Sequence, residues 1–383
     1  MNSGKEILHL STLDYIYATH AEDPIPFVLN FDTDLKISTI EESFYQTCRE
    51  FLGSEGCLIE VDDKTMGFDL SKCRASFEVI ECEMDRPLNT IVERITNDLG
   101  APLTRAYLVR RQSLTSIILC MSHAVADGYG YFMFLSAWAA KCRGNEFYSP
   151  NCDRKALTSF GRFAIHNDDK SPLPKMLPSS HTLIVSETKN GKRFRWKKDY
   201  ISVHSDKYKN VSETGKPSIN ALISADIWKR KTITAKHSEN SVLYTYVDIR
   251  RHSKQAGPLY FGNAVLPVCI EMPADDLIQM PLLDLANIIK KNTDKAPSRL
   301  TESLNELEAF RMKYGVKMFE RTRTFSPYGC VVSNLSHIPL STMDFGSGPP
   351  IGFDTAADGP QCQASIIFSE GKKYRILETE TGK

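Results

Sequence analysis

The stretch TSIILCMSHAVADGYGYFMFLSAWAAKCRG, residues 115–144, joins an apolar run to a short polar turn and then to a second, longer apolar segment. The first run, 115–122, predicts a strand that is buried on both faces. The segment from Gly128 to Gly144 predicts a mostly buried helix that ends at a glycine. His123 and Asp127 therefore lie on the connection between a strand and a helix, where the strand end is a rigid mount for a functional side chain.

His123 has the chemistry of a general base. A neutral imidazole with an ordinary pKa of about 6.5 can accept a proton from a hydroxyl, an amine or a thiol. Asp127 is near enough in the chain for its carboxylate to hold the turn, and Gly128 permits a backbone conformation that a β-carbon resists. A lone histidine at a strand end is more often structural. His123 is not alone, and its neighbours Asp127 and Gly128 favour the catalytic interpretation.

The remaining sequence alternates helix and strand patterns, which predicts an α/β protein. Residues 38–53 predict a helix that begins with a capping box of Ser38 and Glu41. Residues 87–100 predict another helix, between Pro87 and Gly100. Further helices are predicted from Ser218, over 281–292 and over 300–314, and strands over 104–110, 194–205, 243–250, 263–272 and 329–336, with a hairpin over 364–377.

Two halves of similar size follow from this pattern. The segment 167–180 has three prolines among charged residues and serines, which is typical of a linker. We therefore expect a first domain over 1–170, a linker over 171–180 and a second domain over 181–383.

Composition excludes several classes of protein. The chain has 383 residues, with 47 Lys and Arg against 47 Asp and Glu, and this balance gives no support to a nucleic-acid or membrane partner. No C-x-x-C pair occurs among the ten cysteines, which argues against a metal site. The N-terminal residues lack a signal-peptide core. We expect a cytoplasmic monomer without a metal ion.

The motif His123-x-x-x-Asp127-Gly128 resembles the active-site motif of the coenzyme-A-dependent acyltransferase superfamily. Within that superfamily the chain is most similar to the BAHD acyltransferases, because further family segments follow in the same order. These are LSTLD at 10–14, SINALISADIWKR at 218–230, VDIR at 247–250, YFGNA at 260–264 and DFGSG at 344–348. Ser347 departs from the family pattern, which has tryptophan there.

The resemblance implies two similar chloramphenicol-acetyltransferase-like domains of mixed sheet and helices, with a channel between them. It implies transfer of an acyl group from acyl-CoA, a co-substrate and not a bound cofactor, to a hydroxyl or amine of a small molecule. His123 would be the base. Asp127 would point away from the substrate and pair with Arg250. Asp344 and Gly346 would support the fold.

Two further pairs of residues have less specific roles in this resemblance. Ser333 and Asn334 match a segment near the channel and could contact the oxyanion or the acyl group, or could be ordinary polar strand residues. Lys216 and Ser218 match a place where relatives bind the phosphates of CoA. They could equally be a solvated lysine and a plain helix cap.

Two alternatives stay open at this stage. A condensation-type domain takes its acyl group from a carrier protein, but such domains usually have two adjacent histidines, and Ser122 stands where the first would be. The other alternative is a binding protein that keeps the fold without catalysis. The intact His123, Asp127 and Gly128 argue against it.

Overall fold

The computed structural model describes residues 6–19, 26–93, 95–159, 194–197, 201–204, 208, 217–317, 325–338, 340–356, 363–370 and 372–381. These residues form seven α-helices and three β-sheets, which confirms the predicted α/β class. No helix among them has the length and apolar character needed to cross a membrane. The predicted linker over 171–180 and Lys216 lie outside the described residues, so the boundary between the two halves stays a prediction.

The first sheet carries the quoted stretch. Its strands are β2 (Phe27–Phe31), β5 (Ser76–Glu81), β6 (Thr104–Arg111), β7 (Leu114–Met121) and β13 (Gly352–Thr355). They lie in the order β13-β2-β7-β6-β5, and the prediction of strands at β6 and β7 is confirmed. Two helices that pack on each other are the neighbours of this sheet in the core: α2 (Ile37–Glu50) and α3 (Gly128–Cys142).

The second sheet has seven strands. They are β8 (Phe194–Trp196), β9 (Ile201–His204), β10 (Asn240–Asp248), β11 (Val265–Pro273), β12 (Gly329–Asn334), β14 (Gln363–Glu370) and β15 (Lys373–Thr381). Their order is β11-β10-β12-β14-β15-β8, with β9 also paired to β15, and the middle pairs, β10 with β12 and β12 with β14, are parallel. Three helices pack on this sheet: α4 (Ile219–Ala235), α5 (Ala274–Gln279) and α6 (Leu282–Lys295).

A small third sheet and two helices complete the described structure. The sheet has the order β1-β4-β3, with β1 at Ile7–His9, β3 at Cys57–Asp62 and β4 at Thr65–Asp69. The helices are α1 (Tyr15–Ala18) and α7 (Leu300–Tyr314). Both helices contribute to one large hydrophobic core together with α2, α3 and the first sheet.

Most predicted elements are confirmed, and two details are wrong. Helix α2 begins at Ile37, and the residue at its cap, Lys36, makes no side-chain capping bond. Ser38 is therefore already inside the helix and does not form the predicted capping box with Glu41. The chain leaves the buried Leu35 and starts the helix with Ile37, whose side chain packs on the core.

The helix predicted over 87–100 is the other error. Only Leu88–Thr90 form a short 3₁₀ helix, and 91–93 and 95–99 form no regular helix. The backbone N–H of Glu93 donates instead to the hydroxyl of Tyr107 on β6, at 3.1 Å. β-branched residues such as Ile91 and Val92 also have low helix propensity, so the contact with the sheet prevails.

The two large sheets are joined by a strand that the sequence did not predict. Strand β13, from the end of the chain, pairs antiparallel with β2 of the first sheet. Phe353 of β13 stacks on Phe27 of β2 at a centroid distance of 5.0 Å and meets Phe368 of β14 edge-on at 4.7 Å. Residues distant in sequence therefore build one aromatic cluster between the sheets.

Substitution of Phe353 tests this connection. Phe353→Ala should lower the free energy of unfolding by about 3–5 kcal/mol, because it empties a buried aromatic site. Ile351→Ala is the matched control, since Ile351 precedes the same strand but is 60% exposed and should change little. Urea unfolding of both variants measures the difference. Equal stabilities would show that β13 is not important for joining the sheets.

Candidate functional site

His123 lies in the loop between β7, which ends at Met121, and α3, which begins at Gly128. As a whole residue His123 is of intermediate exposure, whereas Ala124, Val125 and Asp127 beside it are fully buried. The imidazole is therefore held in a fixed loop at the margin of the packed interior, where it has lost hydration.

Asp127 is the cap of α3 and the anchor of this loop. Its Oδ1 accepts the backbone N–H of Gly130 at 3.0 Å and its Oδ2 accepts that of Ala264 at 2.8 Å. The guanidinium of Arg250 donates to both oxygens, at 2.8 and 2.9 Å. Such a bidentate pair restricts both the distance and the angle between its partners.

Arg250 connects the loop to the second half of the chain. It follows β10, its side chain is 1% exposed, and it also donates to the backbone oxygens of Tyr260 and Gly262 at 3.0 and 2.9 Å. Burial alone would raise the pKa of Asp127, but the charge and hydrogen bonds of Arg250 outweigh it and hold that pKa below its ordinary value. Asp127 is thus a carboxylate fully engaged in structure.

Gly128 does not have the special backbone conformation that the sequence suggested as the reason for a glycine there, but it is closely packed. Its φ lies outside the left-handed region. A β-carbon at this position would lie 2.9 Å from Cδ2 of Leu335, so a larger residue would require that leucine side chain to shift.

Asn263 decides which ring nitrogen of His123 is free. The Nδ2 of Asn263 donates to Oδ1 of Asp14 at 2.9 Å and to the backbone oxygen of His123 at 2.8 Å. Both partners only accept, so the amide oxygen must face Nδ1 of His123, 3.0 Å away. An oxygen there requires a proton on Nδ1, which leaves the lone pair on Nε2.

A second buried ion pair lies on the other side of the loop. The carboxylate of Asp14 contacts the guanidinium of Arg154 at 3.2 Å, and both side chains are almost wholly buried. Arg154 also donates to the backbone oxygen of Val125 in the His123 loop, at 2.8 Å. Asp14 further accepts the backbone N–H of Ser11 and of Asn263, so it links the start of the chain to the YFGNA segment.

The electrostatics of this site favour a neutral imidazole. Loss of hydration lowers the pKa of His123, and this effect exceeds the opposing influence of its hydrogen bonds and of the carboxylates of Asp127 and Asp14. The ring is therefore uncharged at neutral pH and its Nε2 can accept a proton.

The other predicted residues make contacts of their own, separate from the hydrogen bonds around His123. Ser333 and Asn334 end β12, and the Oδ1 of Asn334 accepts the N–H of Ser336 at 2.9 Å. Ser218 caps α4 by accepting the N–H of Ala221 at 3.2 Å. Asp344 accepts the N–H groups of Gly346 and Gly348 at 2.7 and 2.9 Å, and Arg143 at the end of α3 donates to its backbone oxygen.

Sequence reasoning missed the roles of Asp14, Arg154 and Asn263. Asp14 and Asn263 lie in two segments that carry the family resemblance, LSTLD and YFGNA, so a signal for them was present. Arg154 lies in no such segment, and nothing near it in the sequence points to Asp14, 140 residues away.

Comparison with known proteins adds to this geometry. Residues 115–363 match the model of the Transferase family. An omega-hydroxypalmitate O-feruloyl transferase of Arabidopsis thaliana is 25% identical over 69% of this chain and 57% of its own length. A hydroxycinnamoyl-CoA:piscidic acid hydroxycinnamoyltransferase of Actaea racemosa is 23% identical over 91% of this chain and 86% of its own. The chain thus spans under two thirds of the first relative's length.

A solved structure shares the fold. TRI101 of F. sporotrichioides, in complex with coenzyme A and T-2, superposes with a TM-score of 0.79 at 14% identity. The match covers 98% of this chain and 95% of that one. At this identity the likeness concerns the fold alone.

Asp127→Asn tests the anchor of the loop. The amide keeps the shape but leaves the charge of Arg250 buried without its counter-charge, so the free energy of unfolding should fall by about 3–5 kcal/mol. The control is Asp248→Asn, which removes the other carboxylate near Arg250, at 3.3 Å and 35% exposed, and should cost far less. Chemical denaturation compares them, and a loss of under about 0.5 kcal/mol in Asp127→Asn would contradict the anchor.

Proposed function

The chain belongs to the Transferase family, the BAHD acyltransferases, and from this membership together with the site we propose that it moves an acyl group from acyl-CoA to a hydroxyl or amine of a small-molecule acceptor. The observation that carries the proposal is a partly exposed His123 whose Nδ1 faces the amide oxygen of Asn263 at 3.0 Å. That arrangement leaves Nε2 as an unprotonated base.

The proposed reaction has one general base and no covalent acyl-enzyme. The acceptor's O–H or N–H proton passes to Nε2 of His123 as the acceptor's heteroatom attacks the thioester carbonyl. The resulting oxyanion collapses, the carbon–sulfur bond breaks, and the proton passes from His123 to the departing thiolate of CoA. The step requires neither a metal ion nor a redox cofactor.

Asp127 and Arg250 have a supporting role in this proposal. Since every oxygen of Asp127 already accepts hydrogen bonds from Arg250 and the backbone, the carboxylate is not a proton acceptor for the substrate. Asp344 and Gly346 belong to a turn packed beside α3 and likewise support the fold. Asp127 is therefore a positioning residue of the motif.

The proposed contacts to CoA and to the oxyanion involve residues outside the His123 loop. Ser333 and Asn334, at the end of β12, stay candidates for the acyl group or oxyanion. Lys216 stays a candidate for a phosphate of CoA. Ser218 already accepts a backbone N–H as a helix cap, which favours its plain structural role.

The carrier-protein alternative differs in its donor. The first of its two usual histidines is absent here, because Ser122 occupies that position. The Oγ of Ser122 donates to Oδ1 of Asn97 and so supports the loop. A catalytically silent protein of the same fold would not need a hydrogen bond that leaves Nε2 of His123 unprotonated. We therefore favour the acyl-CoA enzyme over both.

Release of CoA measures the proposed activity. Acetyl-CoA and longer acyl-CoA donors, each paired with panels of alcohols and amines, should give thiol release with at least one pair. His123→Ala should then lower the rate by about 10²–10⁴-fold, since the base is lost, while its circular dichroism stays like that of the unaltered chain. Turnover unchanged by His123→Ala would refute the assignment of the base.

The pH profile of kcat/KM tests the state of the imidazole. Because desolvation lowers the pKa of His123, the base stays unprotonated at neutral pH and gains a proton only as the pH falls through this lowered value. The rate should thus be constant around pH 7 and decline below the ordinary histidine pKa of about 6.5. A decline that begins above pH 7 would contradict this.

A further inference from the structure

A tyrosine covers one face of the His123 ring. The rings of Tyr17 and His123 lie parallel, with 4° between their planes and 3.7 Å between their centroids. Tyr17 is 2% exposed and belongs to the short helix α1. The tyrosine is thus wholly buried, while His123, whose ring it covers, is as a whole residue of intermediate exposure.

One hydrogen-bonding side chain, that of Asn97, contacts the chain at both sides of the stack. The side chain of Asn97 donates from Nδ2 to the backbone oxygen of Tyr17 at 2.8 Å. The Oδ1 of the same amide accepts the hydroxyl of Ser122, the residue before His123. One asparagine therefore ties the backbone of α1 to the strand end that carries the imidazole, and Tyr17 cannot move far from that ring.

The charges around His123 are already in use. The neutral amide of Asn263 faces Nδ1. Of the nearby carboxylates, Asp127 is paired with Arg250 and Asp14 with Arg154. Both carboxylates act on His123 only at longer range, as opponents of its desolvation. An imidazolium formed here has the amide oxygen of Asn263 at Nδ1 and the π face of Tyr17 against its ring as direct electron-rich neighbours, and no carboxylate among them.

We propose that Tyr17 is a positioning residue of this site, which fixes the plane of the His123 ring and stabilises the imidazolium that forms when the acceptor's proton reaches Nε2. The inference rests on the proposed function of His123 as base. A cation over an aromatic face is stabilised, and more so where water is excluded. Because Tyr17 occupies one face, the acceptor meets His123 at its edge or from the other side.

The protonation equilibrium of His123 tests the stack without any substrate. NMR of the full chain, labelled at the histidine Cε1 carbon, follows the nine histidines with pH, and His123→Gln identifies the signal of His123. Tyr17→Leu removes the ring, so the pKa of His123 should fall by about one unit. Tyr17→Phe keeps the ring and should keep the pKa. Tyr15→Leu, an equally buried neighbour, is the control for packing.

A second variant keeps the test valid if Tyr17→Leu does not fold. Pentafluorophenylalanine at position 17 preserves the shape of a phenyl ring but removes the electron density from its face, so the pKa of His123 should fall relative to Tyr17→Phe. A pKa that is equal in the leucine, phenylalanine and fluorinated variants, or that rises in the leucine variant, overturns the stabilising role.

Kinetics then separate this inference from the proposed function. With a donor and acceptor found by CoA release, Tyr17→Leu should lower kcat about tenfold with little change in the KM for acyl-CoA, and Tyr17→Phe should restore kcat. If no pair releases CoA, the function fails, while the pKa shift can still establish the stack. If CoA is released but Tyr17→Leu matches the unaltered chain in both kcat and the pKa, the inference fails alone.

Discussion

The buried charge of Arg250 is compensated in this fold by the buried carboxylate of Asp127, and the rest of the site depends on that pair. Each of the two groups would be strongly destabilised inside the protein if it were left alone. Together they also satisfy backbone groups of Gly130, Tyr260, Gly262 and Ala264. Since Asp127 begins α3 and Arg250 follows β10, the pair determines how the loop of His123 meets the second sheet.

A matching arrangement on the other side completes the frame. Asp14 and Arg154 form a second buried pair, and each of them bonds to the loop of His123 or to Asn263, which contacts it. The two carboxylates near His123 are thereby neutralised by arginines and do not touch the imidazole. The imidazole is left to a neutral amide at Nδ1 and an aromatic face, which suits the proposed base, since such a base is uncharged at rest and charged only during the reaction.

Local patterns predicted much of this structure. The continuous apolar run before His123 predicted β7, the segment 104–110 predicted β6, and Ser218 marked the start of α4, where its hydroxyl does cap the helix. The failures were local signals that tertiary contacts overruled. Ser38 had the spacing of a helix cap, yet the helix begins one residue earlier, at Ile37, because the side chain of Ile37 packs on the core. The periodic residues after Pro87 pack on the first sheet, where Tyr107 takes a backbone N–H that a helix would have used.

The sequence by itself determined that a histidine and an aspartate would share the turn between a buried strand and a buried helix. The reason is that apolar runs and turn residues act over a few neighbours. Only the tertiary structure decided what surrounds that turn: β13 beside β2, Arg154 against Asp14, Asn263 at Nδ1 and Tyr17 on the ring. These contacts join residues more than a hundred positions apart, and no local pattern encodes them, because they arise from the need to pair every buried charge and fill every gap at once.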